Sequence, residues 1–350
     1  MKKRSLLAAL LAGVMALGLC ACGGGSSEPA ASGGEDGEEA HVVLKLGHMK
    51  AEGSSTDLDI KDFCAKVTEE SGGTIEFEVY PSSTLGDYST MVERMGIGDV
   101  DMMMGSITGN LDKRMSVWNT PYLARNWDEA REIFKQDGII VTRMKEMAEE
   151  NDFRILGLYP MYFSGIGLSK APTGDITKLE KQNIKIRIPN AAAWEAMGTA
   201  FGFMTTPLNY SDIFTSMQTG VVDGTIGVGA EGLYSDFRDL IKYYLPVNAH
   251  FEAQWLCVGQ PTWDKLSENQ REILAKNVEE FEASRWETAE AAQAEYEQKL
   301  ADLGVEVSTF TPEDYALFAK TMREQTWDIA HEEYGDELYN EMLDVVAQFD

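Results

Sequence analysis

Arg187 and Asn190 are the residues whose types and spacing most clearly suggest a chemical role. Arg187 ends the strand-like run that begins at Ile184, and Asn190 follows where the N-cap of a helix is expected. A guanidinium offers a fork of donors to a carboxylate, and the N–H groups and dipole at a helix start favour an anion. The pair therefore predicts a site for the carboxylate of a small organic acid.

The elements that must position this pair lie within the stretch 184–232. It reads as a strand-like run, a helix, a second strand-like piece, a second helix and a glycine-rich turn. The turn, Gly227 to Gly232, spells G-x-G-x-x-G, the fingerprint of dinucleotide sites. The helix after it is short, and no acidic residue that could bind ribose ends a strand about twenty residues later. We therefore expect no cofactor.

The rest of the chain indicates a larger α/β architecture. Before residue 110, strand and helix patterns alternate as β-α-β-α-β, which is typical of a parallel sheet with covering helices. Ser267 opens a capping box, and apolar residues then recur at helical spacing until Gly304. A helix of that length exceeds one lobe and is expected to brace two. The predicted boundaries are 41–163 plus about 253–350 for lobe I and the bracing helices, and 164–252 for lobe II.

The N-terminus reads as a targeting segment. Three basic residues precede an apolar run, Leu6 to Leu19, that is too short to span a bilayer. Cys20 and Cys22 compete as the processing point, and small Ala21 before the second favours Cys22 as a lipidated first residue after a signal peptide of 1–21. An ordinary secretory signal cut nearby is the alternative. Residues 22–40 lack bulky apolar groups and are expected to form a disordered tether.

Charge and composition exclude several classes of function. The formal net charge of −28 disfavours nucleic acid and anionic lipid as partners. In the body after the tether only Cys64 and Cys257 remain, and we interpret both as buried apolar residues, with a disulfide as the alternative. The four histidines form no cluster with metal-site spacing and no nucleophile–base constellation, so no metal and no catalysis are expected.

Three ordered motifs give the chain a family resemblance. Residues 211–224, SDIFTSMQTGVVDG, look like the A-L-Q-T-G-x-V-D-G run of the DctP-type substrate-binding proteins of tripartite ATP-independent periplasmic (TRAP) transporters. Residues 184–189, IKIRIP, are similar to that family's K-I-R-x-P strand. Residues 81–87, PSSTLGD, resemble its P-x-S-x-L-G-D loop, and GDVDMMM follows at the family's spacing.

The resemblance implies a fold, a function and a set of site residues. The fold is a two-lobed α/β periplasmic-binding-protein clamshell (class II-like) with a long helix spanning both lobes. The function is capture of a solute and its delivery to membrane permease subunits, without catalysis. By position, Arg187 matches the arginine that pairs with the ligand carboxylate, Asn190 a neighbouring pocket position, and Tyr210 an aromatic that covers the ligand. First-lobe segments facing the cleft carry Met49, Asp87 and Ser106.

Two departures from the family pattern bear on the ligand. Thr225, Ile226 and Gly227 follow the V-D-G motif where many relatives have a polar pair and an asparagine that touches ligand. Ser164 stands where many relatives have a second arginine. A dicarboxylate or a sialic acid held as in those relatives is therefore disfavoured. A monocarboxylate with hydroxyl or apolar groups fits better, and the glycines after position 223 leave room for it.

Several candidate residues also have a structural interpretation. Tyr210, Trp194 and Trp255 could line the pocket or pack in the core. His48 and His250 lie near the segments that join the lobes, where isolated histidines usually have structural roles. Two other functions remain open, a receptor for an ATP-driven importer and a binding lipoprotein associated with a sensor. A secreted hydrolase or oxidoreductase would need a catalytic constellation that the sequence does not present.

Overall fold

Two mixed β-sheets are the framework of the computed structural model, which describes residues 39–107 and 109–349. The first sheet has the order β2-β1-β3-β10-β4 and the second the order β11-β9-β5-β8-β6-β7. We refer to the parts of the chain built on them as the first and second lobes. The strands are β1 Val42–His48, β2 Ile75–Tyr80, β3 Met102–Gly105, β4 Phe153–Phe163, β5 Gly165–Leu168, β6 Lys185–Ile188, β7 Met204–Pro207, β8 Gly224–Val228, β9 Tyr243–Leu245, β10 Phe251–Gly259 and β11 Glu306–Val307.

Helices cover both sheets. They are α1 Ser55–Glu70, α2 Tyr88–Gly96, α3 Trp127–Ile133, α4 Ile139–Glu150, α5 Ala192–Ala200, α6 Ile213–Gln218, α7 Ala230–Phe237, α8 Gln260–Trp263, α9 Glu268–Asp302 and α10 Pro312–Val346. Short 3₁₀ turns occupy Lys113–Asn119, Ile176–Lys178 and Tyr210–Asp212. α3 and α4 are separate helices, because the chain leaves helical geometry after α3 and Gly138 is the N-cap of α4.

The β-α-β-α-β prediction for the start of the body is confirmed. β1 pairs in parallel with β2 on one side and β3 on the other, and α1 and α2 connect them. The parallel arrangement ends there, because β10 runs antiparallel to both β3 and β4. The long return of β10 from the second lobe into the first sheet gives the sheet this mixed character.

The chain crosses between the sheets at two adjacent places. Ser164 separates β4 of the first sheet from β5 of the second, and residues 246–250 separate β9 from β10. The crossings are held side by side, since the Ser164 N–H donates to the carbonyl of His250 and the Ala249 N–H donates to the carbonyl of Ser164, each at 2.9 Å. A third connection differs from the predicted boundaries, because β11 lies within 253–350 but pairs with β9 in the second sheet.

The long helix α9 spans both lobes, as predicted. Ser267 and Gln270 form the expected capping box at its start. Its 35 residues extend roughly 50 Å at about 1.5 Å per residue. It packs against α1 and β4 in the first lobe and against α7 and β11 in the second. The terminal helix α10 also begins with a capping box, at Thr311, and is broken at Gly335, whose φ is 76°.

The ends of the predicted segments and the cysteines can be compared with the structure. The signal segment, Cys22 and most of the tether lie outside the described residues. The tether was expected to extend to residue 40, but Glu39 accepts a hydrogen bond from Asn269 and Ala40 accepts one from Gln270 at the start of α9. Cys64 and Cys257 are free and buried. None of the helices described is long and apolar enough to cross a bilayer.

Candidate functional site

A cavity lies between the lobes and is lined by residues from both. It encloses about 850 Å³ not filled by protein atoms, a figure that includes space open to solvent. The lining residues come mostly from segments that follow strands, where α/β proteins bind ligands. Those with polar or aromatic side chains include Lys50, Asp87, Tyr88, Ser106, Trp118, Tyr162, Arg187, Asn190, Trp194, Asn209, Tyr210, His250 and Glu252.

Arg187 is a buried cation on the wall of this cavity. Only 6% of the residue is exposed, and its Nε donates to the carbonyl of Leu208 at 2.8 Å. Among the described residues no carboxylate oxygen lies within 4 Å of the guanidinium. Burial lowers the pKa of Arg187 to about 10, and the neighbouring Tyr210, Tyr88 and Glu252 partly oppose that shift. A desolvated cation without a protein counter-ion is an arrangement that a bound anion would complete.

The local sequence explains why Arg187 is held in place. It lies on β6, which is paired in parallel with β7 and β8, opposite Thr206 and Thr225. The flanking Ile186 and Ile188 are buried in the core of the second lobe. The strand therefore fixes the backbone while the guanidinium enters the cavity.

Asn190 lines the cavity but is not the helix cap that the sequence suggested. The N-cap of α5 is Ala191, one residue later, and it makes no side-chain capping bond. The Asn190 amide instead donates to Asn209 Oδ1 at 3.1 Å, and Asn209 Nδ2 donates to Asp87 Oδ2 at 3.0 Å. Asp87 is itself the N-cap of α2 in the first lobe. This chain of amides joins the two lobes at the mouth of the site.

Tyr210 also reaches across the cleft. Its hydroxyl donates to Asp236 Oδ2 at 2.5 Å and accepts from Lys50 Nζ at 3.4 Å. The Lys50 ammonium lies 4.7 Å from the centre of the Tyr210 ring. Burial raises the pKa of the Tyr210 phenol well above its ordinary value, so the hydroxyl stays neutral. Both interpretations of Tyr210 hold in part, because it lines the cavity and also packs on Phe237.

A buried polar network forms the wall of the cavity next to the crossings. Ser106 donates to Glu252 Oε1 at 2.7 Å, and Gln254 donates to the same oxygen at 2.9 Å. His250 Nε2 bonds the other Glu252 oxygen at 2.7 Å, and His250 Nδ1 lies 2.5 Å from Ser164 Oγ. The network connects the cavity lining to the first crossing, so a change at the ligand site can reach the segment that joins the lobes.

The Ser164, His250 and Glu252 side chains have the residue types of a hydrolase triad, a constellation that the sequence analysis did not find. Ser164 is 0% exposed and does not line the cavity, although it was a predicted site residue. A nucleophile must approach its substrate, and Ser164 has no such access. Its role is instead to hold His250 at the crossing.

The remaining predicted site residues divide into two groups. Met49, Asp87, Ser106 and Gly227 line the cavity. Trp255 does not, because it points into the first-lobe core and packs edge-on against Trp118. Alternating strand residues face opposite sides of the sheet, so Gln254 and Trp255 cannot both face the network described above.

The glycine-rich turn is explained by packing against aromatic rings. A Cβ at Gly229 would lie 2.2 Å from the Tyr162 ring, and one at Gly227 would lie 3.1 Å from Trp194. Gly227 also has φ +88°, which favours glycine. These glycines let two cavity-lining aromatic side chains approach the backbone, which removes the need for a dinucleotide to explain the motif. The described residues contain no cluster of three or more side chains suited to hold a metal ion.

Sequence reasoning missed much of the lining, including residues that carry its charge. Lys50, Tyr88, Trp118 and Glu252 all line the cavity, but no motif marked them. A signal was present for Lys50, which comes two residues after the apolar β1 strand, at the edge where parallel strands end. Glu252 could not be found in this way, because it alternates with apolar residues at the start of β10, a pattern that predicts a solvent-facing side chain.

Comparison with known proteins assigns the family. Residues 46–333 match the model for bacterial extracellular solute-binding protein family 7, DctP. The sialic acid-binding periplasmic protein SiaP of Vibrio cholerae is 25% identical over 77% of this chain and 83% of its own length.

Two solved structures have the same fold. A sugar acid-binding protein of Advenella mimigardefordensis, in complex with galactonate, superposes with a TM-score of 0.80 at 16% identity, over 89% of this chain and 100% of that one. A TRAP solute-binding protein of Desulfovibrio salexigens with bound orotic acid gives 0.78 at 19% identity, over 88% and 99%. The chain therefore belongs to solute-binding protein family 7, the two-lobed substrate-binding proteins of TRAP transporters, which are transport receptors and not enzymes.

Proposed function

We propose that this chain captures a small organic acid outside the cytoplasm and delivers it to the membrane permease subunits of a TRAP transporter. The observation that carries the proposal is Arg187, a buried cation in the interlobe cavity with no carboxylate partner among the described residues. A ligand carboxylate would accept two parallel hydrogen bonds from its fork of donors. Such charge-assisted bonds contribute about 1.5–3 kcal/mol each.

The ligand would be enclosed when the lobes close upon it. The described conformation already has interlobe hydrogen bonds from Asn209 to Asp87 and from Lys50 to Tyr210. The crossings at Ser164 and at residues 246–250 are the segments that we expect to bend, because they lie side by side between the two sheets. Closure removes water from the site, which strengthens the pairing of Arg187 with an anion.

The ligand class follows from the chemistry of the lining. The proteins named above bind sialic acid, galactonate and orotic acid, each of which carries a carboxyl group. Around Arg187 the cavity offers hydroxyl, amide and carboxylate groups together with aromatic rings. This set suits a monocarboxylate with several further polar groups, such as a sugar acid.

The place of action rests on the N-terminal sequence. We propose that Cys22 is lipidated after removal of residues 1–21 and that the following tether holds the body near the outer face of the cell membrane. The proposed body comprises lobe I and the bracing helices, from 41–163 and about 253–350, and lobe II, from 164–252, to whose sheet β11 is added. Mass spectrometry of the processed protein tests the anchor: a diacylglyceryl group on Cys22 supports it, and an unmodified N-terminus elsewhere contradicts it.

Ligand capture is tested with pairs of acids and their uncharged counterparts. A thermal-shift screen of carboxylates is followed by titration calorimetry with galactonate and with galactitol, which carries a hydroxymethyl group in place of the carboxylate. We expect saturable binding of one or more acids and none of the matched alcohols. A set of ligands made up only of sugars without a carboxylate, or of cations, would overturn the proposal. Delivery is tested by uptake of the labelled acid in cells with and without the chain.

A further inference from the structure

Lys50 is a second buried cation in the interlobe cavity. It lies two residues after the end of β1, on the first lobe, whereas Arg187 lies on the second. Only 4% of the residue is exposed, and it lines the cavity. Lysine is rarely buried to this extent unless it is paired.

The Lys50 ammonium is poorly satisfied by the protein. An ammonium carries three N–H donors, and within the described residues the Lys50 side chain makes one hydrogen bond, a long one of 3.4 Å to the Tyr210 hydroxyl. No described carboxylate lies within 4 Å of it. The Tyr210 ring, 4.7 Å away, adds a cation–π contact. Two N–H groups of Lys50 are thus available to a molecule in the cavity.

The two carboxylates that line the cavity accept most of their hydrogen bonds from other protein groups and not from Lys50. Asp87 accepts from the Thr90 N–H, from the Ser89 hydroxyl and from Asn209. Glu252 accepts from Ser106, His250 and Gln254. A carboxylate offers about four lone-pair positions, so Glu252 keeps one for a donor from a ligand.

We propose that Lys50 is the second ligand-binding cation and that it donates to the hydroxyl group at the end of the ligand away from the carboxylate. The inference rests on the proposed function and narrows it to hydroxylated monocarboxylates of the aldonate type. Arg187 holds the carboxylate from one lobe while Lys50 holds the far end from the other. The ligand itself therefore bridges the lobes.

The charges of the cavity favour a hydroxyl over a second carboxylate at Lys50. The lining carries two cationic groups, Lys50 and Arg187, and two anionic groups, Asp87 and Glu252. A monoanion adds one uncompensated charge to this enclosed space, and a dianion adds two, which low local dielectric makes costly. A hydroxyl group can accept a hydrogen bond from the Lys50 ammonium without adding a charge.

Variants of Lys50 test the assignment with named probes. D-galactonate, D-gluconate and L-gulonate are titrated into the wild type, and the tightest of them is measured again beside its 6-deoxy analogue. Lys50→Met and Lys50→Gln are compared with Lys45→Met, which removes a charge from the preceding strand β1, outside the cavity. Melting curves show which variants keep the fold. If Lys50→Met does not fold, Lys50→Gln is used in its place, because its side chain keeps a hydrogen-bond donor for Tyr210.

The expected pattern is specific to the far end of the ligand. Loss of a charge-assisted bond lowers the affinity of the Lys50 variants for the aldonate by about 10- to 100-fold, while Lys45→Met stays within about twofold of the wild type. The 6-deoxy acid binds the wild type and Lys50→Met equally, within about threefold. Equal losses for both acids, or no loss for either, would overturn the role of Lys50.

Binding of different acids by the wild type separates the role of Lys50 from the proposed function. A wild type that binds succinate or orotate but none of the three aldonates contradicts the assigned ligand class and leaves capture of organic acids standing. A wild type that binds no carboxylate contradicts both.

Discussion

Replacing Arg187 by methionine should abolish ligand binding with little change in stability. Methionine has a similar length and no charge, so the change removes the guanidinium while filling much of its volume. Two effects on folding oppose each other. Burial lowers the pKa of Arg187 from 12.5 to about 10. Because one pKa unit corresponds to 1.36 kcal/mol, the charged side chain destabilises the fold by about 3 kcal/mol. The methionine variant does not carry that cost.

The opposing effect is the carbonyl of Leu208, which loses the donor that Arg187 Nε provides at 2.8 Å. Leaving a buried acceptor without a partner costs about 1–3 kcal/mol. The two effects nearly cancel, so the melting temperature of the ligand-free variant should stay within about five degrees of the wild type.

Binding should respond far more strongly than stability. Two charge-assisted hydrogen bonds contribute about 3–6 kcal/mol together, and each 1.4 kcal/mol is about tenfold in affinity. We therefore expect titration calorimetry to show at least a 100-fold weaker Kd for every acid that binds the wild type. Lys185→Met serves as the control, because it removes a positive charge from the exposed start of the same strand. Unaltered affinity in Arg187→Met would refute the reasoning.

Two further predictions concern packing and pH. Gly229→Ala places a Cβ 2.2 Å from the Tyr162 ring, so it should cost about 1–3 kcal/mol in urea unfolding. Gly96→Ala, whose Cβ would lie at an ordinary contact distance of 3.9 Å from the Asp152 Cβ, should be neutral; equal effects would contradict the packing explanation. Burial lowers the pKa of His48 from 6.5 to about 4. Between pH 6.5 and 4 the imidazole is therefore protonated in the unfolded chain but neutral in the folded one. The free energy of unfolding should fall by up to about 3 kcal/mol as the pH is lowered through that window. His48→Gln should flatten this part of the pH profile and exposed His41→Gln should not; an unchanged profile in His48→Gln would be the contrary result.

The elements of the fold were predictable where the pattern was local. The capping box at Ser267 and the stop at Gly304 set the bounds of α9 within a few residues, because both signals act on the adjacent backbone. The antiparallel return of β10 and the pairing of β11 with β9 were not predictable from local patterns, because both depend on contacts between segments far apart in the chain.

The candidate site was predictable where motifs carried it. The strand–helix layout around Arg187 identified the second-lobe side of the cavity, and the family resemblance added first-lobe positions such as Asp87. The prediction failed for Trp255, where the alternation of a buried strand decides which neighbour faces the cavity. Lys50 and Glu252 have no motif of their own. Their importance follows from burial and, for Lys50, from the lack of a carboxylate within 4 Å among the residues that the structure describes.

A crystal structure of the wild type with its tightest-binding acid tests the central claim most directly. We expect the lobes closed and both carboxylate oxygens about 2.7–2.9 Å from the terminal guanidinium nitrogens of Arg187. A carboxylate held elsewhere in the cavity, with Arg187 making no contact to the ligand, would contradict the account.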